Sequence, residues 1–344
     1  MPESPLDSPP AGEGQILPVP ASTGRPAGVP VPTAAGQAAL AEAQEFARRA
    51  AAPATLRAYK ADWQHYAAWC ARSGFVPVPA EPATVGAYLA SLATTHAPTT
   101  IRRRLAAIGK MHRFNGLPWT PSHRDIQEPL QGVLREYGRA VQKAAALTLP
   151  MLRRLLATCD ASARGRRDRA LLLVGFTGAL RRSELVALQV EDVTVTAAGL
   201  RVRITRSKTD PKAEGAEIGL PRGKHPDSCP VKAFRAWQEV AKRKAGPLFR
   251  GVSKAGRIGG AALHPDAVRR ILVHRSRMAG LDIEGSERLS AHALRVGFIT
   301  EAYGKGVRDE DIMRHTRHRD LRTMRGYVQR AGLLADSPAG LLDL

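Results

Sequence analysis

The stretch Arg314–Tyr327 places many cations beside a single phenol. It is crowded with arginine, contains His315 and His318, and ends in Tyr327. A free phenol has a pKa of about 10 and attacks well only where its proton is removed or the developing charge is stabilised. Arginine guanidinium groups bind phosphate oxygens in two-point geometry and stabilise a phosphorane relative to the ground-state diester. The stretch therefore indicates a phosphate site with its own nucleophile; the alternative is a basic helix lying on DNA with an incidental tyrosine.

Further candidates for chemistry lie upstream of this stretch. They are Arg181 with Glu184 in Thr-Gly-Ala-Leu-Arg-Arg-Ser-Glu-Leu, Lys208 in Arg-Ser-Lys-Thr-Asp, and His292 with Arg295 in Ala-His-Ala-Leu-Arg. His292 and Arg295 are three residues apart, so in a helix both project from one side. Taken singly, each is weak evidence, because a lone His or Arg on a helix is more often a cap or an ion-pair partner.

Together these segments resemble the tyrosine recombinases of the phage integrase family. The catalytic set of that family is Arg, Lys, His-x-x-Arg, a second His or Trp, and Tyr. The counterparts occur here in the same order, as Arg181, Lys208, His292, Arg295, His318 and Tyr327. The resemblance is strong over about Leu147 to Tyr327, whereas over Gln37 to Gly138 it rests only on position and helical character.

The chain also departs from the pattern of the family. Arg317 stands where many members have glycine, and Arg182 stands where many have an aliphatic residue. These departures leave open whether His315 replaces His318, and whether Arg182 shares the work of Arg181. His318 is favoured because its interval to Tyr327 fits the family. Lys212 is an alternative to Lys208 on the same predicted hairpin.

The resemblance implies two transesterifications on duplex DNA. Tyrosine attacks a backbone phosphate, leaving a 3′-phosphotyrosyl bond and a free 5′-hydroxyl, and the hydroxyl of another strand reverses the step. The implied roles are phosphate binding by Arg181 and Arg295, hydrogen-bond donation by His318, protonation of the leaving oxygen by Lys208, and general-base catalysis by His292 for Tyr327. No Walker-type loop or acidic pair suited to Mg²⁺ accompanies the motif, so neither cofactor nor metal is expected.

The same resemblance implies partners and leaves two rival classes open. We expect a homotetramer on paired DNA sites, accessory DNA-bending proteins, and a cytoplasmic, nucleoid-associated place in a bacterium, as for an enzyme of a mobile element. A type IB topoisomerase uses related chemistry on one duplex. A non-catalytic DNA-binding relative is the other alternative, although it would have had to keep six separate groups without using them.

Whole-chain composition agrees with a polyanionic partner. Among 344 residues, Lys and Arg outnumber Asp and Glu by 52 to 31, a formal net charge of +21, which favours nucleic acid. No membrane association is expected, because the longest apolar run, Ala170–Leu180, is far shorter than the ~20 residues of a spanning helix. No secretory signal is visible. Three widely spaced cysteines favour a reducing compartment and argue against a zinc module.

The candidate residues are expected to lie in a two-domain fold. We predict an all-α, SAM-like core-binding domain, followed by a mixed α/β, mainly α, catalytic domain with a small antiparallel sheet. The predicted boundaries are a Pro/Ala/Gly-rich disordered leader at 1–36, the helical domain at 37–138, a linker at 139–149, the catalytic domain at 150–330 and a tail at 331–344. In the second domain, hydrophobic periodicity and the positions of glycine and proline predict helices and strands. The predicted helices are 149–157, 168–176, 230–244 and 265–278, and the predicted strands are 200–205 and 216–220.

The helical domain carries the predicted DNA-backbone contacts. The predicted helix that starts at Pro98 has an apolar face containing Ile101, Leu105 and Ile108. Its other face carries the predicted contact residues, namely Arg102, Arg103, Arg104 and Lys110. An aromatic stripe on the preceding helix, which includes Trp63, Tyr66 and Trp69, is expected to face the core.

Overall fold

The structure, a computed structural model, describes residues 33–49, 53–138, 146–205, 215–281, 289–290 and 292–331. The chain divides into two compact units, Met1–Val141 and Gln142–Leu344. The first unit is helical and the second is mainly helical with a small antiparallel sheet, which confirms the predicted fold class. No helix among the described residues is long and apolar enough to cross a membrane.

Five helices make up the described part of the first unit. They are α1 Ala34–Arg49, α2 Pro53–Ser73, α3 Pro82–Ser91, α4 Pro98–Phe114 and α5 Arg124–Tyr137. Proline opens α3 and α4, where a missing N–H loses no helical hydrogen bond. The aromatic stripe of α2 does face the core: Tyr66 is fully buried, and Trp63 and Trp69 pack against the same cluster.

The predicted basic face of α4 needs a correction. Arg102 and Arg103 are exposed and Lys110 is half-buried, but Arg104 is buried, with 7% of its surface exposed. Arg104 donates to the hydroxyl oxygen of Tyr88 at 3.2 Å and lies 2.9 Å from Nδ1 of His65. Arg103 forms a two-point ion pair with Asp62, at 2.6 and 3.0 Å. The prediction that Arg104 lies on the outer face is therefore wrong.

Three predicted segments, the leader, the linker and the tail, lie only partly within the described residues. Helix α1 begins at Ala34, three residues before the predicted domain start at Gln37. Most of the predicted leader, most of the linker and the tail after Ala331 lie outside the described residues.

The second unit contains the remaining described elements. They are helices α6 Leu149–Ala157, α7 Ala163–Thr177, α8 Arg182–Ala187, α9 Pro230–Ala241, α10 Pro265–Met278, α11 Ala293–Gly304, α12 Asp309–Thr316 and α13 Leu321–Ala331, and strands β1 Val193–Val195, β2 Gly199–Ile204, β3 Ala216–Pro221, β4 Arg250–Val252 and β5 Ile258–Ala262. Strands β1, β2 and β3 form one antiparallel sheet in that order, and β4 pairs with β5. In the β2–β3 register, Val202 faces Ile218.

Helix α7 is the central element of the second unit. The hydroxyl of Ser162 accepts the N–H of Gly165 and caps its first turn. Its residues from Ala170 to Val174 are almost completely buried. The buried carboxylate of Asp168 accepts hydrogen bonds from Arg167 and Arg275, both at 2.6 to 2.9 Å. This three-residue ion network joins α7 to α10 in the interior.

The chain enters the second unit in close contact with α11. The N–H of Leu147 donates to the carbonyl of Ala293 at 3.3 Å, and the N–H of Leu149 donates to the carboxylate of Glu301 at 2.7 Å. A Cβ on Gly297 would lie 2.1 Å from the carbonyl oxygen of Leu147, so only glycine permits this approach. Leu147 is fully buried, although it lies within the predicted linker.

Candidate active site

The turn after α7 brings Arg181 to the start of α8. Ala179 has a positive φ of 45°, which a residue other than glycine adopts at an energetic cost. Arg181 then occupies the N-cap of α8, where its backbone N–H donates to Oε2 of Glu184 at 2.9 Å. The guanidinium of Arg181 donates to Oε1 of the same carboxylate at 2.7 Å. Within the Arg-Arg-Ser-Glu motif, the carboxylate of Glu184 thus fixes both the backbone and the side chain of Arg181.

Helix α11 supplies the next two groups. Its first turn places His292 at the N-cap and Arg295 one turn later, and Arg295 is completely buried. Nη1 of Arg295 donates to the carbonyl of Ala179 at 2.8 Å, so the strained turn and the catalytic helix are joined directly. Nη2 of Arg295 lies 3.2 Å from Nε2 of His318. The Nε atom of Arg295 is buried without a hydrogen-bond partner among the described residues.

The segment after α12 supplies the second histidine. Helix α12 ends at Thr316, and Arg317 adopts the left-handed conformation that turns the chain towards His318. The hydroxyl of Thr316 lies 2.7 Å from Nδ1 of His318, which fixes the orientation of the ring. Sequence reasoning did not identify Thr316, because a threonine two residues before a histidine carries no signal of its own.

Helix α13 supplies Tyr327. Asp320 accepts the N–H of Thr323 at 2.9 Å and starts the helix. Met324 is fully buried against Ile299 and Ile312, in a small cluster separate from the main core. Tyr327 packs on this cluster and is half-buried, and its hydroxyl oxygen lies 3.0 Å from Nε2 of His292. The phenol of Tyr327 and a candidate base are therefore within hydrogen-bonding distance in one chain.

Electrostatics keep both histidines neutral at physiological pH. Burial, together with the nearby charges of Arg295 and Arg181, lowers the pKa of His292 to about 4. The same causes lower the pKa of His318 to about 3. Burial and the neighbouring Arg181 and Arg317 also lower the pKa of Arg295, to about 9. A neutral His292 can accept the proton of Tyr327, while the arginines supply the positive charge.

The structure places the alternative residues differently. Nε2 of His315 lies 2.8 Å from the carbonyl of Thr177, and its ring stacks on Phe298, so His315 faces α7. Arg182 pairs with Asp266 and is more than half exposed. Lys208 and Lys212 lie outside the described residues. Within the described ranges, no group of three or more His, Cys, Asp or Glu residues could hold a metal ion.

Comparisons with known proteins find a matching family model and similar sequences. The model of the phage integrase family matches residues 146–332. An integrase/recombinase xerD homolog of Selenomonas ruminantium is 31% identical over 287 residues, which cover 82% of this chain and 83% of that protein. The tyrosine recombinase XerD of Caulobacter vibrioides is 29% identical over 295 residues, covering 83% and 88% of the two chains.

The fold is also similar to that of a solved recombinase. The crystal structure of the XerH site-specific recombinase bound to palindromic difH substrate, in a post-cleavage complex, matches with a TM-score of 0.56 and 18% identity over 77% of this chain and 73% of that one. The likeness of the fold, the family match and the sequence relatives lead to one conclusion. The chain belongs to the phage integrase family of tyrosine recombinases, enzymes that cut and rejoin DNA.

Proposed function

We propose that Tyr327 is the nucleophile of this site-specific DNA recombinase. The observation that carries the proposal is the distance of 3.0 Å between the hydroxyl of Tyr327 and Nε2 of His292, whose pKa is low enough to keep the ring neutral. A neutral imidazole within hydrogen-bonding distance of a phenol has the geometry of a general base. Arg181, Arg295 and His318 surround the same place and supply donors for phosphate oxygens.

In the proposed reaction, each phosphoester bond that breaks is replaced by a new one. His292 takes the proton of Tyr327 as the phenolic oxygen attacks phosphorus, and the bond from phosphorus to the 5′-oxygen breaks. A proton supplied by Lys208 neutralises that oxygen, which leaves as a free 5′-hydroxyl. The 5′-hydroxyl of a second strand then attacks the 3′-phosphotyrosyl bond and regenerates Tyr327. No external energy source is required, because one phosphoester replaces another at each step.

Binding and assembly form the second part of the proposal. Duplex DNA is the partner, and Arg102 and Arg103 on α4 contact its backbone, since both residues are exposed. Two DNA sites assemble with a homotetramer, assisted by DNA-bending proteins, in association with the bacterial nucleoid. A solved structure of similar fold is a transposon integrase in complex with transposon right end DNA, which supports a mobile element as the context.

A covalent-trapping experiment tests the chemistry. With a nicked DNA substrate whose short 5′-hydroxyl fragment diffuses away, wild-type protein should accumulate a covalent adduct on denaturing gels. Tyr327→Phe should bind the same DNA with unchanged affinity and form no adduct, because only the hydroxyl is lost. Tyr303→Phe, which changes an exposed tyrosine of α11, is the matched control and should form adduct normally. An adduct that persists in Tyr327→Phe and maps to another residue would refute the assignment.

A synapsis experiment tests the assembly. Two duplexes that carry different labels should be captured in one complex and exchange strands if the protein is a recombinase. Relaxation of a supercoiled circle without exchange between labelled duplexes would instead fit a topoisomerase. The mass of the captured complex, measured by light scattering, should correspond to four protomers.

A further inference from the structure

Arg317 has a backbone conformation that favours glycine. It follows the last residue of α12 with φ of 59° and ψ of 43°, and its N–H closes the helix on the carbonyls of Met313 and Arg314. A side chain in this left-handed region costs about 1–2 kcal/mol. Many members of the family have glycine here, as noted above. The chain therefore carries an arginine where the backbone alone would be more stable with glycine.

The side chain of Arg317 turns inward instead of entering solvent. Only 11% of it is exposed, and its Nη2 donates to Oε2 of Glu184 at 2.9 Å. Its Nη1 donates to the carbonyl of His315 at 3.0 Å, while its Nε is buried with no hydrogen-bond partner among the described residues. Burial lowers the pKa of this guanidinium below its usual range. An arginine desolvated to this extent needs a counter-charge, and Glu184 supplies it.

Glu184 joins Arg317 to the catalytic arginine. Its Oε1 accepts from the guanidinium of Arg181, and its Oε2 accepts both the backbone N–H of Arg181 and the guanidinium of Arg317. Only 2% of Glu184 is exposed. One buried carboxylate is thus held between two guanidinium groups, so that its rotamer, and the placement of Arg181, depend on Arg317.

Arg317 also changes the charge balance around the reacting atoms. Among the described residues of the site, Arg181, Arg295 and Arg317 carry three positive charges and Glu184 carries one negative charge, because His292 and His318 are neutral. A phosphodiester carries one negative charge, and the phosphorane formed by phenolate attack carries about two. Arg317 adds one positive charge to this cluster, and an added positive charge stabilises the more negative phosphorane more than it stabilises the diester. Its charge therefore favours the transition state over the bound substrate.

We infer that Arg317 is a positioning residue for DNA cleavage, which fixes Glu184 against Arg181 and adds positive potential at the phosphate site. This inference rests on the proposed function of Tyr327. Arg317 is not placed in contact with the phosphate and acts through its neighbours. Removal of its side chain should therefore slow cleavage, leave DNA affinity unchanged, and relieve the backbone strain at the same time.

The test compares Arg317→Gly, Arg317→Gln and Arg317→Lys in single-turnover cleavage of the nicked substrate. Arg317→Gly should cleave at least about tenfold more slowly than wild type, and its loss should stay below the ~10²–10³-fold loss typical of a direct oxyanion donor. Its DNA affinity should equal that of wild type, and it should be fully folded at the assay temperature. Arg317→Gln should be slow as well, whereas Arg317→Lys, which keeps the charge, should recover most of the rate. Arg314→Gln removes an exposed arginine from the same helix and should cleave at the wild-type rate.

The pH dependence separates positioning from mere stability. Arg317 is among the charges that lower the pKa of Arg295 and of His318. In Arg317→Gly, the alkaline limb of the second-order cleavage rate should therefore move to higher pH, because Arg295 holds its proton longer. A structural role alone would lower the rate without moving the profile.

Each outcome decides the inference. A wild-type rate and profile in Arg317→Gly and Arg317→Gln would overturn it. So would a slow Arg317→Lys with an unmoved profile, or a rate loss explained by a lower melting temperature. If the proposed function of Tyr327 were wrong, wild-type protein itself would form no adduct at Tyr327. This result is distinct from every outcome that concerns Arg317 alone. If Arg317→Gly does not fold, the comparison of Arg317→Gln with Arg317→Lys decides the matter alone.

Discussion

Acid should destabilise the catalytic unit, because folding suppresses the protonation of His292 and His318. Their pKa values in the folded protein are about 4 and about 3, whereas an unfolded histidine has a pKa of about 6.5. The unfolded state therefore binds more protons. The stability that these groups contribute is complete above about pH 6.5 and is lost as the pH falls towards the folded values.

The size of the loss follows from proton linkage. Between pH 7 and pH 5, the relation gives a decrease in the free energy of unfolding of about 2 kcal/mol for each of His292 and His318. The two together amount to about 3–4 kcal/mol, a large share of the 5–15 kcal/mol that is typical of a folded protein. Protonation of either histidine would place a positive charge beside Arg295. Both protonations therefore lower the free energy of unfolding.

Urea unfolding of matched proteins measures this loss. In the double variant His292→Gln, His318→Gln, the replaced groups stay neutral at both pH values, while every other titrating group of both units is unchanged. Wild-type protein should therefore lose about 3–4 kcal/mol more than the double variant between pH 7 and pH 5, and each single variant should account for about half of this difference. Equal pH dependence in wild-type and doubly substituted protein would refute the reasoning, because it would mean that both histidines titrate normally.

Three further substitutions test other parts of the molecule. Asp168→Asn should destabilise by about 3–5 kcal/mol in urea unfolding, because two buried arginines lose their counter-charge, whereas Arg166→Gln at an exposed pair should change stability by less than ~0.5 kcal/mol. Arg102→Glu should lower the slope of log affinity against log salt by about 0.9 or more if it loses a phosphate contact, and an unchanged slope would mean that the residue is only solvated. Gly297→Ala should lower the melting temperature by several degrees, since its Cβ would clash with the carbonyl of Leu147; normal melting would show that the chain entering α6 can shift.

The candidate site residues were predicted from short motifs with fixed spacing, and the structure describes all of them except Lys208. The interval between His318 and Tyr327 distinguished His318 from His315, and the structure places His318 beside Arg295 and His315 against α7. The strands β2 and β3 were predicted within about a residue, because alternation and a turn signal mark them clearly. Helix α6 was predicted with the bounds that the structure has.

Other features depend on contacts that sequence spacing does not encode. Arg104 was expected on the outer face of α4, but Tyr88 and His65, sixteen and thirty-nine residues upstream, bind it in the interior. Strands β4 and β5 escaped prediction because they are short and because β5 is built mainly from glycine and alanine. The link between Arg317 and Glu184 spans 133 residues, so it could not be inferred from either segment alone.

The close passage of Leu147 over α11 determines where the chain can be divided. A fragment that begins at Pro150 would leave the carbonyl of Ala293 and the carboxylate of Glu301 without the N–H groups that they accept in the intact chain. It would also uncover Gly297 on α11, over which the backbone of Leu147 passes. We expect such a fragment to be less stable than one that starts upstream of Leu147, even though both retain the same candidate catalytic side chains. The N-terminal boundary of a stable catalytic-unit fragment is therefore set by the backbone of residues 147–149, which take no part in the proposed chemistry.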